Sequence, residues 1–231
     1  MTEIQFRSSL TALLTDQMGG DESIVRFARV SSGTSGTEKS NKGLVRMLMR
    51  DRHGSPFEAP ILQFRVECPI FVAREFFRHR IASYNETSGR YQVLEPVFYR
   101  PEPDRPLRQI GKPGAYTFEP GSYEQVAITL AEHERIATEA WGSYEYLLEK
   151  GVAREVARNV LPLSIYTSFY VNMNLRSTLN FLSLRWAHEQ SKTPTFPLKE
   201  IETVAKQIDA AARLVAPIAM SAFDEFGRVA P

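Results

Sequence analysis

An α+β fold is the class this sequence predicts, and three stretches carry the prediction. In residues 61–68, Leu62, Phe64, Val66 and Cys68 alternate with Gln63, Arg65 and Glu67, the period of two expected of a half-buried strand. Residues 164–170, SIYTSFY, are rich in the aromatic and branched side chains that suit a pleated surface. Residues 123–150 instead repeat Val126, Leu130, Ala137, Trp141, Tyr144 and Leu148 at helical spacing, and Gly151 is a natural stop. With 231 residues, 43% of them hydrophobic, the chain can bury a sizeable core and reads as a single domain over residues 1–231.

The remaining elements follow in order. Ile4 and Phe6 mark a short strand, residues 10–18 a helix ended by Gly19-Gly20, and residues 23–31 a second helix with Ile24, Phe27 and Ala28 inward. Residues 31–36, SSGTSG, form a loop with neither the GxGxxG nor the GxxxxGK[ST] spacing of the nucleotide-binding loops. A short helix is expected over residues 44–50. After the strand at 61–68, Pro69 opens a helix that buries Phe71, Phe76, Phe77 and Ile81, then breaks into a polar segment. Residues 97–122 hold Pro101, Pro103, Pro106, Pro113 and Pro120, and read as a long excursion or a subunit-contacting arm. Residues 152–161 form a shorter helix ended by Pro162, with Arg154 and Arg158 four apart. From Pro197 a last helix turns Ile201, Val204, Ile208 and Val215 inward until Pro217. The expected architecture is a largely antiparallel sheet carrying the strands near Ile4, Leu62 and Tyr166, flanked by helices.

Composition narrows the chemistry. No apolar run has the length of a membrane span, and the first ten residues lack a basic region followed by an apolar run, so a cytoplasmic protein is expected. Net charge is +1, but 21 of the 28 basic residues are Arg, a bias toward fixed, bidentate anion contacts or toward the base composition of the source genome. Cys68 is the single cysteine, which excludes an intrachain disulfide and a cysteine metal cluster; its place on the apolar face of a strand makes it a core thiol rather than a nucleophile. No metal site is expected.

The densest chemistry lies in residues 69–94. Arg78, His79, Arg80 and Arg90 crowd together with Glu86 among them, a pattern that reads as an anion site at a helix end or as a solvated helix face followed by a turn. In residues 171–185, Arg176 and Asn180 fall on one side of a helix and Asn174 and Arg185 on the other, so two faces carry ligand-type residues.

Arg78-His79-Arg80, Ser83, Asn85-Glu86, Ser88 and Arg90-Tyr91 resemble the signature RHRxxSxNExSxRY of the flavin-dependent thymidylate synthases, nine fixed positions in fourteen. Three further blocks are similar to that family: Ala28-Arg29-Val30-Ser31 to its Ala-Arg-x-Ser segment, residues 53–58 to HxSPFEH, and residues 174–185 to NxRSxxxFxxLR. Ala59 replaces the last His of the second block, Glu75 stands where Gln is usual, and the segment after Arg185 departs from the common form.

The resemblance implies the family's bifurcated, largely antiparallel sheet with flanking helices. It also implies reductive methylation of dUMP to dTMP with FAD as cofactor, NADPH as reductant and methylenetetrahydrofolate as carbon donor. FAD would be held by Ser31, Ser55, Arg78, His79, Arg80, Glu86, Asn174, Arg176 and Asn180. The nucleotide would be bound by Glu75, Glu86, Ser88, Gly89, Arg90, Arg158 and Arg185, with Arg185, Ser88 and His53 in catalytic roles. A homotetramer with active sites formed between subunits is implied, with neither nucleic acid nor membrane as partner. The competing readings are a flavoprotein oxidoreductase that has lost methyl transfer, a nucleic-acid-binding module using the Arg-rich helix, and an oligomer-forming structural protein.

Overall fold

The computed structural model describes residues 3–112 and 114–231. Along the chain the elements run β1 (Gln5–Arg7), β2 (Thr11–Met18), α1 (Asp21–Val30), α2 (Glu38–Arg50), β3 (Ile61–Pro69), α3 (Ile70–Phe76), β4 (Ser83–Glu86) and β5 (Val97–Tyr99). There follow β6 (Arg108–Lys112), β7 (Ala115–Glu119), α4 (Tyr123–Glu149), α5 (Arg154–Ala157), β8 (Tyr166–Asn174), α6 (Leu175–Arg185), α7 (Lys199–Val215) and α8 (Pro217–Glu225). Three-residue to four-residue 3-10 turns cover Ser55–Glu58 and Arg158–Val160. The class is α+β, as the patterning predicts.

The described residues fall into two compact units. The first gathers the residues up to Ser9, Glu67–Phe76 and Glu86–Ser168. Here β1 and β5 pair in parallel with Phe6 opposite Phe98, and β6 and β7 form an exposed antiparallel hairpin. Helix α4 starts from a reciprocal cap: Gln125 N donates to Ser122 Oγ at 3.1 Å and Ser122 N donates to Gln125 Oε1 at 2.8 Å. Its C-terminal half carries Ala137, Trp141 and Tyr144 into a core with Phe98, Ala157 and Ile165. In its N-terminal half Tyr123 and Ile128 stand in solvent.

The second unit comprises Leu10–Val66, Phe77–Asn85 and Phe169–Pro231. The four-stranded sheet, in the order β2-β3-β8-β4, supplies its centre. Leu62, Phe64 and Val66 of β3 are fully buried, as their alternation requires. Helix α7 packs on β2 with Ile201, Val204 and Ile208 buried, while α2 and α8 lie together beside it.

Several expectations are corrected. Residues 10–18 form strand β2 and not a helix: Ala12 and Leu14 are half-buried while Thr11 and Leu13 face out, and the Gln207 side chain bonds both Ala12 N and Leu10 O. The strand near Ile4 does not join the strands near Leu62 and Tyr166 but pairs with β5 in a sheet of its own. Phe27 and Ile81 are exposed, because α1 buries Ser23, Ile24 and Val25 instead and α3 stops at Phe76. The Pro-rich excursion contains β5, β6 and β7; Pro113 lies outside the described residues. Pro217 begins α8 at its first position, where its missing N–H costs nothing. Among the described residues no helix is long and apolar enough to cross a membrane.

Trp141 is buried against Phe98 and Tyr144, yet its Nε1–H has no hydrogen-bond partner among the described residues. Trp141→Ala therefore lowers unfolding free energy by about 3–5 kcal/mol through the cavity it leaves. Trp141→Phe costs far less, since it also removes the orphaned donor; urea denaturation of both variants measures the difference.

Candidate functional site

A cavity of about 720 Å³ opens in the second unit, lined by Arg52, Glu58, Arg78, His79, Arg80, Ile81, Asn174, Arg176, Ser177, Asn180, Leu184, Arg185, Ala230 and Pro231. Its size lies within the ~300–1,000 Å³ usual for small-molecule sites. Among the described residues five arginines face it against a single acidic side chain, Glu58.

Local structure explains how each residue arrives there. Helix α3 ends at Phe76, so Arg78, His79 and Arg80 sit in an irregular turn held by Tyr84 Oη donating to the His79 carbonyl at 2.9 Å. Burial pushes the Tyr84 phenol up to about 12, so it stays a donor. Strand β8 runs to Asn174, which caps α6: its Oδ1 accepts from Ser177 N at 2.8 Å. This overturns the two-faced helix, since Asn174 lies on no helical face. Asn174, Arg176, Asn180 and Arg185 all line one cavity, with the positive end of α6 beside it.

Arg176 is held from two directions. Its Nη1 donates to Glu58 Oε1 at 2.6 Å and its Nε to the Pro231 oxygen at 2.8 Å. Gly54 makes room for this arrangement, because a Cβ there would stand 2.5 Å from Arg176 Nε and 2.7 Å from the Pro231 oxygen. Arg185 Nε donates to His79 Nε2 at 3.1 Å, and the His79 ring meets Phe181 edge-on at 4.9 Å. Burial, reinforced by the Arg185 charge, brings the His79 pKa down to about 4, so the imidazole is neutral near pH 7 and can accept that bond. A fixed, cationic, partly apolar cavity of this kind fits a ligand with a polyanionic group and a flat ring, which is the chemistry of a flavin dinucleotide.

The other basic group of the signature is built in the first unit. Ser88 Oγ accepts from Arg90 N at 3.3 Å, and Gly89 is so close to Arg158 that a Cβ would meet its Cδ at 3.2 Å. Arg90 Nε donates to Glu155 Oε2 at 2.9 Å, and Arg154 reaches the Tyr91 carbonyl at 3.1 Å. Arg90, Tyr91, Val93, Leu148, Gly151, Val152, Ala153, Arg154 and Glu155 line a cavity of about 510 Å³. Glu86 accepts from Thr167 Oγ1 at 2.7 Å.

Not every sequence candidate joins these groups. Ser31 bonds back to the Ala28 carbonyl as the C-cap of α1; His53 and Ser55 are exposed, and none of the three lines either cavity. Glu75 is half-buried on α3 and also lies outside both linings. Conversely, Arg52, Ala230, Pro231, Arg154 and Glu155 enter the linings although no motif marked them, and so does Glu58, which sits in the HxSPFEH-like block without an assigned role; only the four-residue spacing of Arg154 and Arg158 hinted at one. Cys68 is fully buried, and burial, then the Glu86 charge, raises its pKa, so it stays a thiol. Among the described residues no group of three or more His, Cys, Asp or Glu could hold a metal ion.

Comparison with known proteins agrees with the signature. The family model described as thymidylate synthase complementing protein matches residues 13–218. The flavin-dependent thymidylate synthase of Tropheryma whipplei (strain TW08/27) is 46% identical over 232 residues, covering 98% of this chain and 97% of that protein. That of Streptomyces coelicolor is 44% identical over 239 residues, covering 99% and 96%. Among solved structures, the UMP/dUMP methylase PolB from Streptomyces cacaoi bound with 5-Br UMP superposes with a TM-score of 0.93 at 41% identity, covering 99% of this chain and 100% of that one.

The depressed pKa of His79 has a measurable consequence. Between pH 6.5 and about 4 the unfolded chain binds a proton at this position that the folded chain refuses, so stability falls as pH drops through that window. NMR titration of His79 is expected to show its midpoint near pH 4, and His79→Phe to flatten the pH dependence of stability over the same range.

Proposed function

Because the chain belongs to the thymidylate synthase complementing protein family, the flavin-dependent thymidylate synthases, we propose that it is an FAD-dependent methyltransferase that converts dUMP to dTMP. Methylenetetrahydrofolate is the carbon donor and NADPH the reductant in this reading, and the whole of residues 1–231 acts as one functional domain. The observation that carries it is the arginine-lined cavity of the second unit, where the signature residues Arg78, His79 and Arg80 meet Asn174, Arg176, Asn180 and Arg185.

In this assignment Arg78, Arg80 and Arg176 bind the anionic part of FAD, with Asn174 and Asn180 offering hydrogen bonds and Ser31, Ser55, His79 and Glu86 completing the set expected from the motif. Bound FAD supplies the hydride that completes the methyl group. Ser88, Gly89, Arg90 and Arg158 hold the dUMP phosphate and ribose, and Arg154, which lines the same cavity as Arg90, joins them. Arg185 faces the pyrimidine carbonyl edge, where its charge stabilises the negative charge that develops as C5 becomes nucleophilic. Neutral His79 supports that role by accepting from Arg185 Nε, which sets the plane of the guanidinium. Glu75, Glu86 and His53 keep the nucleotide-binding and catalytic places that the motif gives them.

No enzyme thiol takes part, since the single cysteine is buried and held protonated. The Ser88 hydroxyl is committed to the phosphate side of the nucleotide rather than to covalent attack. The partners are small molecules, not nucleic acid or membrane, and the working form is a cytoplasmic homotetramer with active sites between subunits. The exposed β6–β7 hairpin and the uncovered N-terminal half of α4 suit such contacts.

Tritium release from C5-labelled dUMP, with FAD, NADPH and methylenetetrahydrofolate supplied, is the decisive assay. The same assay with UMP measures discrimination against the ribonucleotide that the Streptomyces cacaoi enzyme, by its description, also methylates. Release that fails with both nucleotides while FAD still binds and NADPH still bleaches it would leave a flavoprotein oxidoreductase.

Two variants separate the assigned roles. Arg185→Ala is expected to lose about 10²–10³-fold in turnover with FAD still bound. Arg90→Ala is expected to weaken dUMP binding about 10- to 100-fold with a smaller effect on turnover of the saturated enzyme. Steady-state kinetics and nucleotide titration check both.

A further inference from the structure

Arg228 lies outside every motif, yet it is the largest fully buried side chain of the described residues. Its guanidinium donates to Asp209 Oδ1 at 2.7 Å and to Asp224 Oδ1 at 2.5 Å. It also lies 4.6 Å from the centre of the Trp186 ring and 4.8 Å from that of Phe223. Arg213 pairs with the same two carboxylates from the half-exposed side, so the cluster balances two cations against two anions. A buried guanidinium with this many constraints has one orientation.

Both ends of that anchor lead to the arginine-lined cavity. Trp186, the ring beneath Arg228, directly follows Arg185 in the chain. Beyond Arg228, the chain continues into Ala230 and Pro231, whose oxygens accept from Arg52 Nη2 at 3.3 Å and Arg176 Nε at 2.8 Å and line the cavity. Backbone strain marks the same circuit. Among the described residues only Arg52 (φ 60°) and Arg228 (φ 52°) are non-glycine residues in the left-handed region, and both tie residues 228–231 in place. Strain is tolerated where surrounding contacts over-determine a geometry, and here it falls on the two arginines that fix this segment against the site.

We propose that Arg228 is a positioning residue of the flavin cavity: locked by Asp209, Asp224 and the Trp186 ring, it fixes the peptide next to Arg185 and delivers the Ala230 and Pro231 oxygens that orient Arg52 and Arg176. Arg228 touches neither flavin nor nucleotide and acts through these neighbours. The assignment rests on the flavin-enzyme reading above, and FAD binding by the parent protein is its control.

The test uses the full chain in a Trp141→Phe background, so that Trp186 is the remaining tryptophan and its emission reports the stacked guanidinium. Arg228→Lys keeps the charge but loses the planar stack and the fork. It is expected to red-shift Trp186 emission, to weaken FAD affinity measured by flavin fluorescence about tenfold or more, and to lower kcat more than it raises KM for dUMP. Trp186→Leu removes the ring while leaving every ion pair, and is expected to lower FAD affinity and kcat in the same direction, which decides the matter should Arg228→Lys fail to fold. Arg213→Ala shares Asp209 and Asp224 but does not touch Trp186; it is expected to lower the melting temperature with FAD affinity and kcat within about twofold of the parent. The proposal is overturned if Arg228→Lys or Trp186→Leu folds with parental FAD affinity and kcat, or if the losses simply follow melting temperature across all three variants. A parent protein that takes up no FAD would instead sink the function assigned above.

Discussion

Crowding of positive charge in one cavity is the constraint to which the rest of the second unit answers. Arg52, Arg78, Arg80, Arg176 and Arg185 converge with Glu58 as the only acidic side chain in the lining among the described residues, and like charges at such spacing repel strongly wherever water is partly excluded. The fold meets this repulsion by giving the guanidinium groups fixed uncharged or anionic acceptors: the Glu58 carboxylate, the Ala230 and Pro231 oxygens, and the His79 imidazole. Burial keeps His79 neutral and the crowding reinforces it, because a proton there would add a sixth cation beside Arg185. What remains in the lining is an excess of positive charge.

Much of this was legible in the sequence, and the reason is locality. The alternation in β3 and the stripe of α4 lie within single elements, where a period of two or of three to four residues is a direct imprint of geometry. The block from Arg78 to Tyr91 is likewise one continuous turn and strand. Failures came where local pattern was ambiguous or contacts were distant. Residues 11–18 contain Leu13-Leu14 and no clean alternation, so only pairing with β3 and the Gln207 side chain makes them a strand. Asn174 looked helical because its neighbours are; its role as a cap depends on where β8 ends. Arg52 meets Ala230 and Glu58 meets Arg176 across more than a hundred residues, and Pro231 meets Arg176 across 55, separations that no period records.

The places where the chain departs from the family signature also acquire physical content. Ala59 ends the 3-10 turn with its methyl group buried, and the adjacent Glu58 reaches out to Arg176. The divergent segment after Arg185 has no regular structure before α7, yet it is not loose: Trp186 lies under a buried guanidinium and Lys192 N is bonded to the Gly227 carbonyl.

The burial of Cys68 has a pharmacological side. Thymidylate synthases of the other, unrelated class attack the pyrimidine with a cysteine. Here the one thiol is sealed inside a strand and kept un-ionised, so an agent that traps a thiolate finds none. A thiolate-trapping reagent therefore discriminates between the two classes on the burial of this one side chain.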